Sequence, residues 1–110
     1  MKAEIDKEVK RCAAEIRKIS PSSRIIVFGS SIDEKVRHPH DIDLLVVIPV
    51  AEPFKVTRRR ILSIPRANWP LDIIVVPADF LDEKVRLGGN FYAFVCQEGM
   101  ELSQDSKISA

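Results

Sequence analysis

The hydrophobic and polar positions change from a helical period to short apolar runs about twenty residues into the chain. Between positions 3 and 19, apolar side chains recur every three or four residues with Lys and Glu between them, which predicts an amphipathic helix. Ser20-Pro21-Ser22-Ser23 ends this helix, because a proline disfavours helical backbone in the residue before it. The apolar run at 24–28 then predicts a buried first strand.

The rest of the chain alternates further apolar runs with amphipathic segments. A proline follows each of the two long apolar runs, and glycines follow the last two helical segments. The predicted strands are 41–48, 71–76 and a short edge strand at 100–102. The predicted helices are 53–63, 80–87 and 91–98. The run from Leu44 to Ile48 is apolar on both faces, which indicates a central strand that is covered on both sides.

Capping residues set the predicted ends of the last two helices. Asp79 is predicted to cap the helix at 80–87, with Asp82 three residues on as its partner. Asn90 is predicted to cap the helix at 91–98. The residues of that last helix predicted to lie in the core are Phe91, Tyr92, Phe94 and Val95. Trp69 is interpreted as packing on the core or its edge, with base stacking or a partner contact as the alternative.

Length and composition indicate an ordinary globular protein. The 110 residues fit one domain, 1–110, with a modest core and a tail at 104–110 that is predicted to be frayed. The 17 basic and 16 acidic residues give a net charge of +1, which does not indicate nucleic acid as the main partner. The basic residues Lys55, Arg58, Arg59 and Arg60 are interpreted as a solvated helix face, or else as a surface for a polyphosphate, an RNA or an acidic partner.

The cysteines and the lack of a long apolar run indicate in which cellular compartment the protein resides. Cys12 and Cys96 lie in predicted helices without metal-binding spacing, so they are interpreted as free buried thiols in a reducing compartment, a disulfide being the alternative. No stretch resembles a signal peptide, and no apolar run approaches the roughly 20 residues that span a bilayer. We therefore expect a cytoplasmic protein without a membrane partner.

The turn after the first strand has the chemistry of a phosphate site. Phe28-Gly29-Ser30 ends the apolar run, and Gly29 lets the backbone turn tightly and leaves room for a ligand. Ser30 and Ser31 precede a short segment at 32–36 that is predicted to be helical. A strand that leads through Gly-Ser into a helix start presents free backbone N–H groups, which suit a phosphate.

Two aspartates then open the second strand. Asp41 and Asp43 face the same side with Cα atoms roughly 6.7 Å apart, because side chains alternate along a strand, while Ile42 and Leu44 face the core. Two neighbouring carboxylates repel each other unless a cation lies between them, and Mg²⁺ prefers such oxygen ligands. The alternative is an acidic, solvated strand end. Asp72, near the start of the run at 71–76, is a third candidate.

These residues together resemble the signature of the DNA polymerase beta-like nucleotidyltransferase superfamily. Phe28-Gly29-Ser30 and Asp41-Ile42-Asp43-Leu44 stand about ten residues apart, as in that signature, and Asp72 matches its third carboxylate. The chain is most similar to the minimal nucleotidyltransferases, over about positions 16–102. We therefore predict an α/β (α+β) fold with a small, mixed, mostly antiparallel sheet of about four strands, helices mainly on one face and the acidic cluster at an open edge.

The resemblance implies transfer of NMP, in the first place AMP from ATP, to an acceptor hydroxyl. Asp41, Asp43 and Asp72 are then the catalytic residues and hold two Mg²⁺ or Mn²⁺ ions, with Asp72 on the ion that activates the acceptor. Gly29, Ser30 and Ser31 bind the nucleotide. Some relatives carry an arginine at the position of Ser31, and the acidic pair Asp33-Glu34 is expected to repel a triphosphate.

The resemblance also implies a partner. Minimal members pair with a helical HEPN-type protein in toxin–antitoxin systems, where AMP is transferred to a tyrosine of that partner. We expect such a protein acceptor or a homodimer, and favour nucleic acid less. The alternatives are a non-catalytic module that binds NTP and metal, or an antitoxin that acts by occlusion. In the loop before Asp41, His38 or His40 is a less favoured metal ligand, and Arg37 a candidate phosphate contact.

Overall fold

The computed structural model describes residues 2–33, 35, 41–66 and 69–103. The predictions for Glu34, Arg37, His38, His40 and the tail at 104–110 lie outside these residues. The helices are α1 (Ala3–Ile19), α2 (Phe54–Leu62), α3 (Ala78–Leu87) and α4 (Phe91–Glu98). The strands are β1 (Arg24–Phe28), β2 (Ile42–Ile48), β3 (Leu71–Pro77) and β4 (Met100–Glu101), and a single 3-10 turn spans Gly29–Ser31.

The four strands form one sheet in the order β3-β2-β1-β4. β1 pairs antiparallel with both β2 and β4, whereas β2 and β3 are parallel. The predicted mixed, mostly antiparallel sheet and the predicted edge strand near residue 100 are therefore confirmed. β2 lies inside the sheet, and its residues from Leu44 to Ile48 are all buried, as predicted for a central strand.

Helices cover both faces of the sheet, so the prediction that they pack mainly on one face is wrong. On one face, Ile5 and Ile16 of α1 and Ile61 of α2 share a core with Leu44 and Val46 of β2. On the other face, Leu81 of α3 and Val95 of α4 share a second core with the alternate β2 residues Leu45 and Val47. The physical reason is the apolar run of β2 itself, because both sets of its side chains must be removed from water.

Of the two N-terminal caps predicted for α3 and α4, the structure contains only the cap of α4. The Asn90 side chain accepts a hydrogen bond of 3.0 Å from the Ala93 N–H, which confirms it as the cap of α4. Asp79 does not cap α3, because that helix begins at Ala78, directly after Pro77. The Asp79 carboxylate instead accepts a bond from the neighbouring Phe80 N–H within the first turn. A helix can start immediately after a proline whose φ is already near its helical value.

The aromatic residues of α4 are only partly buried. Val95 is buried and Tyr92 half-buried, but Phe91 and Phe94 are 47% and 62% exposed, so the prediction of a wholly core-facing set is wrong. A helix of only eight residues presents one face to the sheet, and these two rings lie beyond that face. Trp69 is half-buried against the α1 and α2 core, which confirms its packing role.

Both cysteines are free thiols within the described part of the chain, as predicted. Cys12 is buried in α1, Cys96 is half-buried in α4, and burial raises the pKa of each thiol. Beside Cys12, the Arg11 guanidinium binds the Glu8 carboxylate and the Pro65 carbonyl oxygen, which ties α1 to the segment after α2. None of the helices among the described residues is both long and apolar enough to cross a membrane.

Candidate active site

β1 ends in a tight turn that only glycine adopts without strain. Gly29 has a φ of +81°, in the left-handed region that L side chains rarely occupy. The helical turn spans Gly29–Ser31 alone, and the N–H groups of Ile32 and Asp33 close it on the carbonyl oxygens of Gly29 and Ser30. A helix starting at Ile32 is therefore not formed over the described residues. The reason is local, since the Asp33 side chain accepts the Lys35 N–H and offers the backbone an alternative to a helix.

The three candidate carboxylates meet at one end of the neighbouring strands β2 and β3. Asp43 and Asp72 are direct neighbours in the parallel register of β2 and β3, and Asp41 stands two residues before Asp43. One carboxylate oxygen from each residue can be chosen so that all three lie within 4.8 Å of one another. Asp72 is thus close enough to share a cation with the other two, as the sequence predicts. The cluster spans the inner strand β2 as well as the edge strand β3, so it does not lie on an open edge alone.

The glycine turn and the carboxylates are in direct contact. Phe28 pairs with Asp43 across β1 and β2, which places the next residue, Gly29, against the Asp43 side chain. A Cβ atom built on Gly29 would lie only 2.3 Å from Asp43 Oδ2, closer than any real contact. The missing side chain at position 29 therefore creates the space in which the Asp43 carboxylate stands.

The charges of the cluster repel one another. Ile42 and Leu44 are fully buried, whereas Asp41 and Asp43 are half-buried and Asp72 is exposed, as expected when alternate residues face opposite sides. Burial raises the pKa of Asp43, and the neighbouring carboxylates of Asp72 and Asp41 raise it further. Among the described residues, no basic side chain pairs with any of the three. The arrangement therefore has the donor atoms that a hard divalent cation prefers, and a negative charge that the described residues do not neutralise.

The two serines of the turn differ in their surroundings. Ser30 is half-buried, whereas Ser31 is 4% exposed and its hydroxyl oxygen has no hydrogen-bond partner among the described residues. A phosphate at this turn would therefore meet the Ser30 hydroxyl and the backbone N–H groups more readily than the Ser31 hydroxyl. The prediction that these residues bind nucleotide stays a prediction.

The basic helix face does not reach the carboxylates. Lys55, Arg58, Arg59 and Arg60 are exposed on α2. Ile61 of α2 packs with Leu44 on one face of the sheet, and Asp43 points to the other face because it alternates with Leu44 along β2. The basic residues of α2 therefore lie on the opposite side of the sheet from the acidic cluster.

Sequence reasoning missed a cavity beside the glycine turn. It has a volume of about 400 Å³ and lies between Gly29 and α4, where Phe94 and Glu98 line it. The sequence contains one signal for this cavity. Phe94 and Glu98 stand four residues apart in α4, and residues with that spacing share one face of a helix. A larger groove of about 640 Å³ lies along α1, but none of the three aspartates nor any residue of the glycine turn lines it. We regard the smaller cavity as the relevant one because it adjoins the candidate chemistry.

Comparison with families of known proteins gives a match over most of the chain. A family model described as a nucleotidyltransferase domain matches residues 9–101, which include the glycine turn and all three aspartates. No curated protein and no solved structure matches the chain.

Proposed function

The chain belongs to the nucleotidyltransferase domain family, and from this premise we propose that it transfers NMP, in the first place AMP from ATP, to an acceptor hydroxyl. Its α/β fold with a four-stranded mixed sheet is that of the DNA polymerase beta-like nucleotidyltransferases. The observation that carries the proposal is the cluster of Asp41, Asp43 and Asp72, whose oxygen atoms approach within 4.8 Å of one another beside the Gly29 turn. We take the whole chain, 1–110, as a single domain of this kind.

The residues present fit a divalent metal. All three donors are carboxylates, the ligands that Mg²⁺ and Mn²⁺ prefer. Burial and, after it, the neighbouring carboxylates of Asp72 and Asp41 raise the pKa of Asp43, and a cation would offset both effects. Asp41, Asp43 and Asp72 would hold the metal. When bound, the metal supplies charge neutralisation at the phosphate oxygens and lowers the pKa of the acceptor hydroxyl.

The chain's own residues would position the two substrates. The Gly29 turn, with Ser30 and the backbone of Ser31, would bind the terminal phosphates of the triphosphate. The acceptor oxygen forms a bond to the α-phosphorus, and the bond from that phosphorus to the bridging oxygen breaks. Pyrophosphate leaves, and the hydroxyl proton passes to solvent. We assign Asp72 to the acceptor side, because it is exposed while Asp41 and Asp43 are half-buried.

For the acceptor we favour a hydroxyl on another protein, such as a tyrosine of a helical HEPN-type partner, with the chain acting as an antitoxin. This choice rests on the resemblance to minimal nucleotidyltransferases, in which the acceptor side of the domain is left open. A second candidate is a module that binds NTP and metal without turnover, or that neutralises a partner by occlusion. It is favoured by the exposed Asp33 carboxylate next to the glycine turn, which would weaken binding of a triphosphate.

The test is label transfer from ATP that carries radioactive phosphorus in the α position. Wild-type protein and extract of its own host should yield a labelled macromolecule only when Mg²⁺ or Mn²⁺ is added. Asp41→Asn should abolish labelling, whereas Asp82→Asn, which makes the same charge change on α3, should not. Metal-dependent ATP binding without any labelled product would support the non-catalytic alternative.

A further inference from the structure

The edge strand β3 lies on the side of the acidic cluster that faces away from the glycine turn. Across the sheet the order is β1, which ends at Gly29, then β2 with Asp43, then β3 with Asp72. In the proposed transfer the terminal phosphates lie at Gly29, and the acceptor attacks the α-phosphorus in line with the departing pyrophosphate. An acceptor hydroxyl therefore approaches from the side of Asp72, at the outer edge of β3.

The outer edge of β3 has unpaired backbone groups beside the acidic cluster. The Ile42 N–H donates to the Pro70 carbonyl oxygen at 2.9 Å, so the even-numbered residues at 70–76 direct their backbone groups toward β2. The N–H and C=O groups of Ile73 therefore point outward, because successive residues of a strand alternate. Within the part of the chain that the structure describes, neither group has a hydrogen-bond partner, and no strand other than β2 pairs with β3.

The two edges of the sheet differ in how they are protected. Short strands and charged side chains protect a sheet edge from pairing with another chain. β4 has only two residues, and its Glu101 forms an ion pair with Arg24. β3 has seven mostly apolar residues, and near the acidic cluster it is accessible, since Asp72 is exposed and Ile73 half-buried, whereas Val75 is 7% exposed. The part of β3 that another chain can reach is therefore the part beside Asp72.

We propose that the acceptor is an extended segment of another protein, which pairs antiparallel with the outer edge of β3 and brings a Ser, Thr or Tyr hydroxyl opposite Asp72. The inference rests on the proposed nucleotidyl transfer for the reaction, whereas the pairing rests on the edge alone. An antiparallel neighbour satisfies both outward groups of Ile73 with a single residue, and antiparallel pairs are the more stable. Leu71 points the same way, but its carbonyl oxygen already accepts a bond of 3.1 Å from Arg66, so the pairing centres on Ile73.

The register of this pairing brings the hydroxyl to the candidate site. Because the backbone groups of Asp72 point toward β2, Asp72 and the residue opposite it form a non-hydrogen-bonded pair, with Cα atoms about 4.5 Å apart and side chains on the same face. The hydroxyl oxygen bonds to the α-phosphorus, pyrophosphate leaves toward Gly29, and the hydroxyl proton passes to solvent. The adjoining residues of the segment face the half-buried Leu71 and Ile73, which favours apolar side chains there.

Two isomeric peptides test the pairing without ATP or metal. The parent peptide is acetyl-Lys-Val-Tyr-Val-Lys-amide, and each isomer carries one N-methyl group, either on the Tyr nitrogen or on the nitrogen of the Val before it. In the proposed register the N–H of that Val donates to the Ile73 carbonyl oxygen, whereas the Tyr N–H points away from β3. Methylation of the Val should therefore weaken binding at least about fivefold, and methylation of the Tyr less than about twofold.

NMR of the ¹⁵N-labelled protein shows where the parent peptide binds. The peptide should slow amide hydrogen exchange at Ile73 but not at Glu101 on the opposite edge. A contact between the α-protons of Asp72 and the peptide Tyr should appear, since their Cα atoms are closest in this register. Equal weakening by both methyl groups, unchanged exchange at Ile73, or protection at Glu101 instead would each overturn the proposal.

Two variants test the edge from the side of the protein. Ile73→Pro removes the outward N–H without removing a bond to β2, and it should weaken peptide binding at least about tenfold. Ile73→Val is the matched control, because it keeps the N–H, and its affinity should stay within about twofold of the wild type. If Ile73→Pro does not fold, the methylated peptides decide the question with the wild type. Slow exchange at Ile73 in the free protein that becomes faster on dilution would overturn the proposal, because a second copy would then occupy the edge.

Addition of Mg-ATP labelled at the α-phosphorus separates this proposal from the proposed function. The parent peptide should be labelled, and a peptide with Phe in place of Tyr should bind equally well without being labelled. Pairing at Ile73 with no labelled peptide would leave the docking site standing and count against nucleotidyl transfer. Equally fast labelling of both methylated peptides would support transfer and contradict pairing at this edge. Tighter binding of a short single-stranded RNA than of the parent peptide at Ile73 would also contradict it.

Discussion

The two faces of the sheet receive different side chains from the same central strand, β2. On the face under α1 and α2, the β2 residues Ile42, Leu44, Val46 and Ile48 are all buried in a closed core. On the other face, the alternate positions begin with two aspartates and continue with Leu45 and Val47 under α3 and α4. We call the face under α1 and α2 the closed face and the face under α3 and α4 the open face. The closed face carries only core packing, whereas the open face also carries repelling carboxylates and exposed aromatic rings. The difference indicates that stability and candidate chemistry can be changed separately.

The largest expected effect is a loss in the free energy of unfolding, which should be much greater for a substitution on the closed face than for one on the open face. Leu44→Ala removes a fully buried side chain from the closed face and should lower that free energy by about 2–5 kcal/mol. Phe94→Ala on the open face should lower it by less than about 1 kcal/mol, because most of its ring is already in water. Urea denaturation of both variants measures this. Similar losses would mean that the Phe94 ring contributes to core packing despite its exposure.

The next effect is on transfer and concerns the exposed carboxylate. Asp72→Asn should keep binding of Mg-ATP through Asp41 and Asp43 but should slow transfer by about two to three orders of magnitude, because the acceptor hydroxyl loses its activation. The measurement is calorimetry with Mg-ATP together with label transfer to the acceptor that the wild type labels. Full transfer by this variant would remove Asp72 from the site.

A smaller effect is expected where the glycine turn meets Asp43. Gly29→Ala should lower the free energy of unfolding by about 1 kcal/mol for its positive φ, and should also weaken Mn²⁺ binding, because its Cβ would displace the Asp43 carboxylate. Gly89→Ala is the matched control, since Gly89 also has a positive φ but nothing within 4 Å of its Cβ position. If both variants bind Mn²⁺ like the wild type, the contact between Gly29 and Asp43 has no role in holding the carboxylate.

The smallest effect is a pH dependence of metal-free stability. The pKa of Asp43 is raised in the folded protein, so folding favours its protonated form and the wild type loses stability as the pH rises through that folded value. Asp43→Asn lacks this loss and should therefore be the more stable protein at neutral pH in EDTA. The difference should disappear as the pH falls toward about 4, the pKa in the unfolded chain. Thermal unfolding across this range checks it, and a wild type more stable than the variant at neutral pH would contradict it.

Local patterns predicted much of this molecule. The strand that carries Asp43, with Asp41 directly before it, the strand that carries Asp72 and the cap at Asn90 follow from periodicity and turn chemistry, and the structure has them. The family resemblance implied that Asp72 joins Asp41 and Asp43. The parallel register of β2 and β3, which brings Asp72 beside Asp43, is specified by no local pattern.

The features that the sequence did not predict depend on packing between distant elements. The exposure of Phe91 and Phe94 is decided by how a short helix meets the sheet, and the cavity exists only because α4 lies beside the glycine turn. Two local predictions were wrong. α3 begins at Ala78, directly after Pro77, and over the described residues no helix begins at Ile32, where the Asp33 side chain accepts the Lys35 N–H. The apolar run from Leu44 to Ile48 had already indicated cover on both faces of its strand, and the prediction of helices mainly on one face did not take this into account.

Calorimetry with ATP tests most directly whether the three carboxylates bind nucleotide through a divalent metal, as we propose. The wild type should release heat on ATP addition with Mg²⁺ or Mn²⁺ and none in EDTA, and Asp43→Asn should lose most of this metal dependence while it keeps its fold. Asp82→Asn should behave like the wild type. Binding of ATP that is equally strong in EDTA, or unchanged in Asp43→Asn, would contradict the account, because the cluster of Asp41, Asp43 and Asp72 would then not be the nucleotide site.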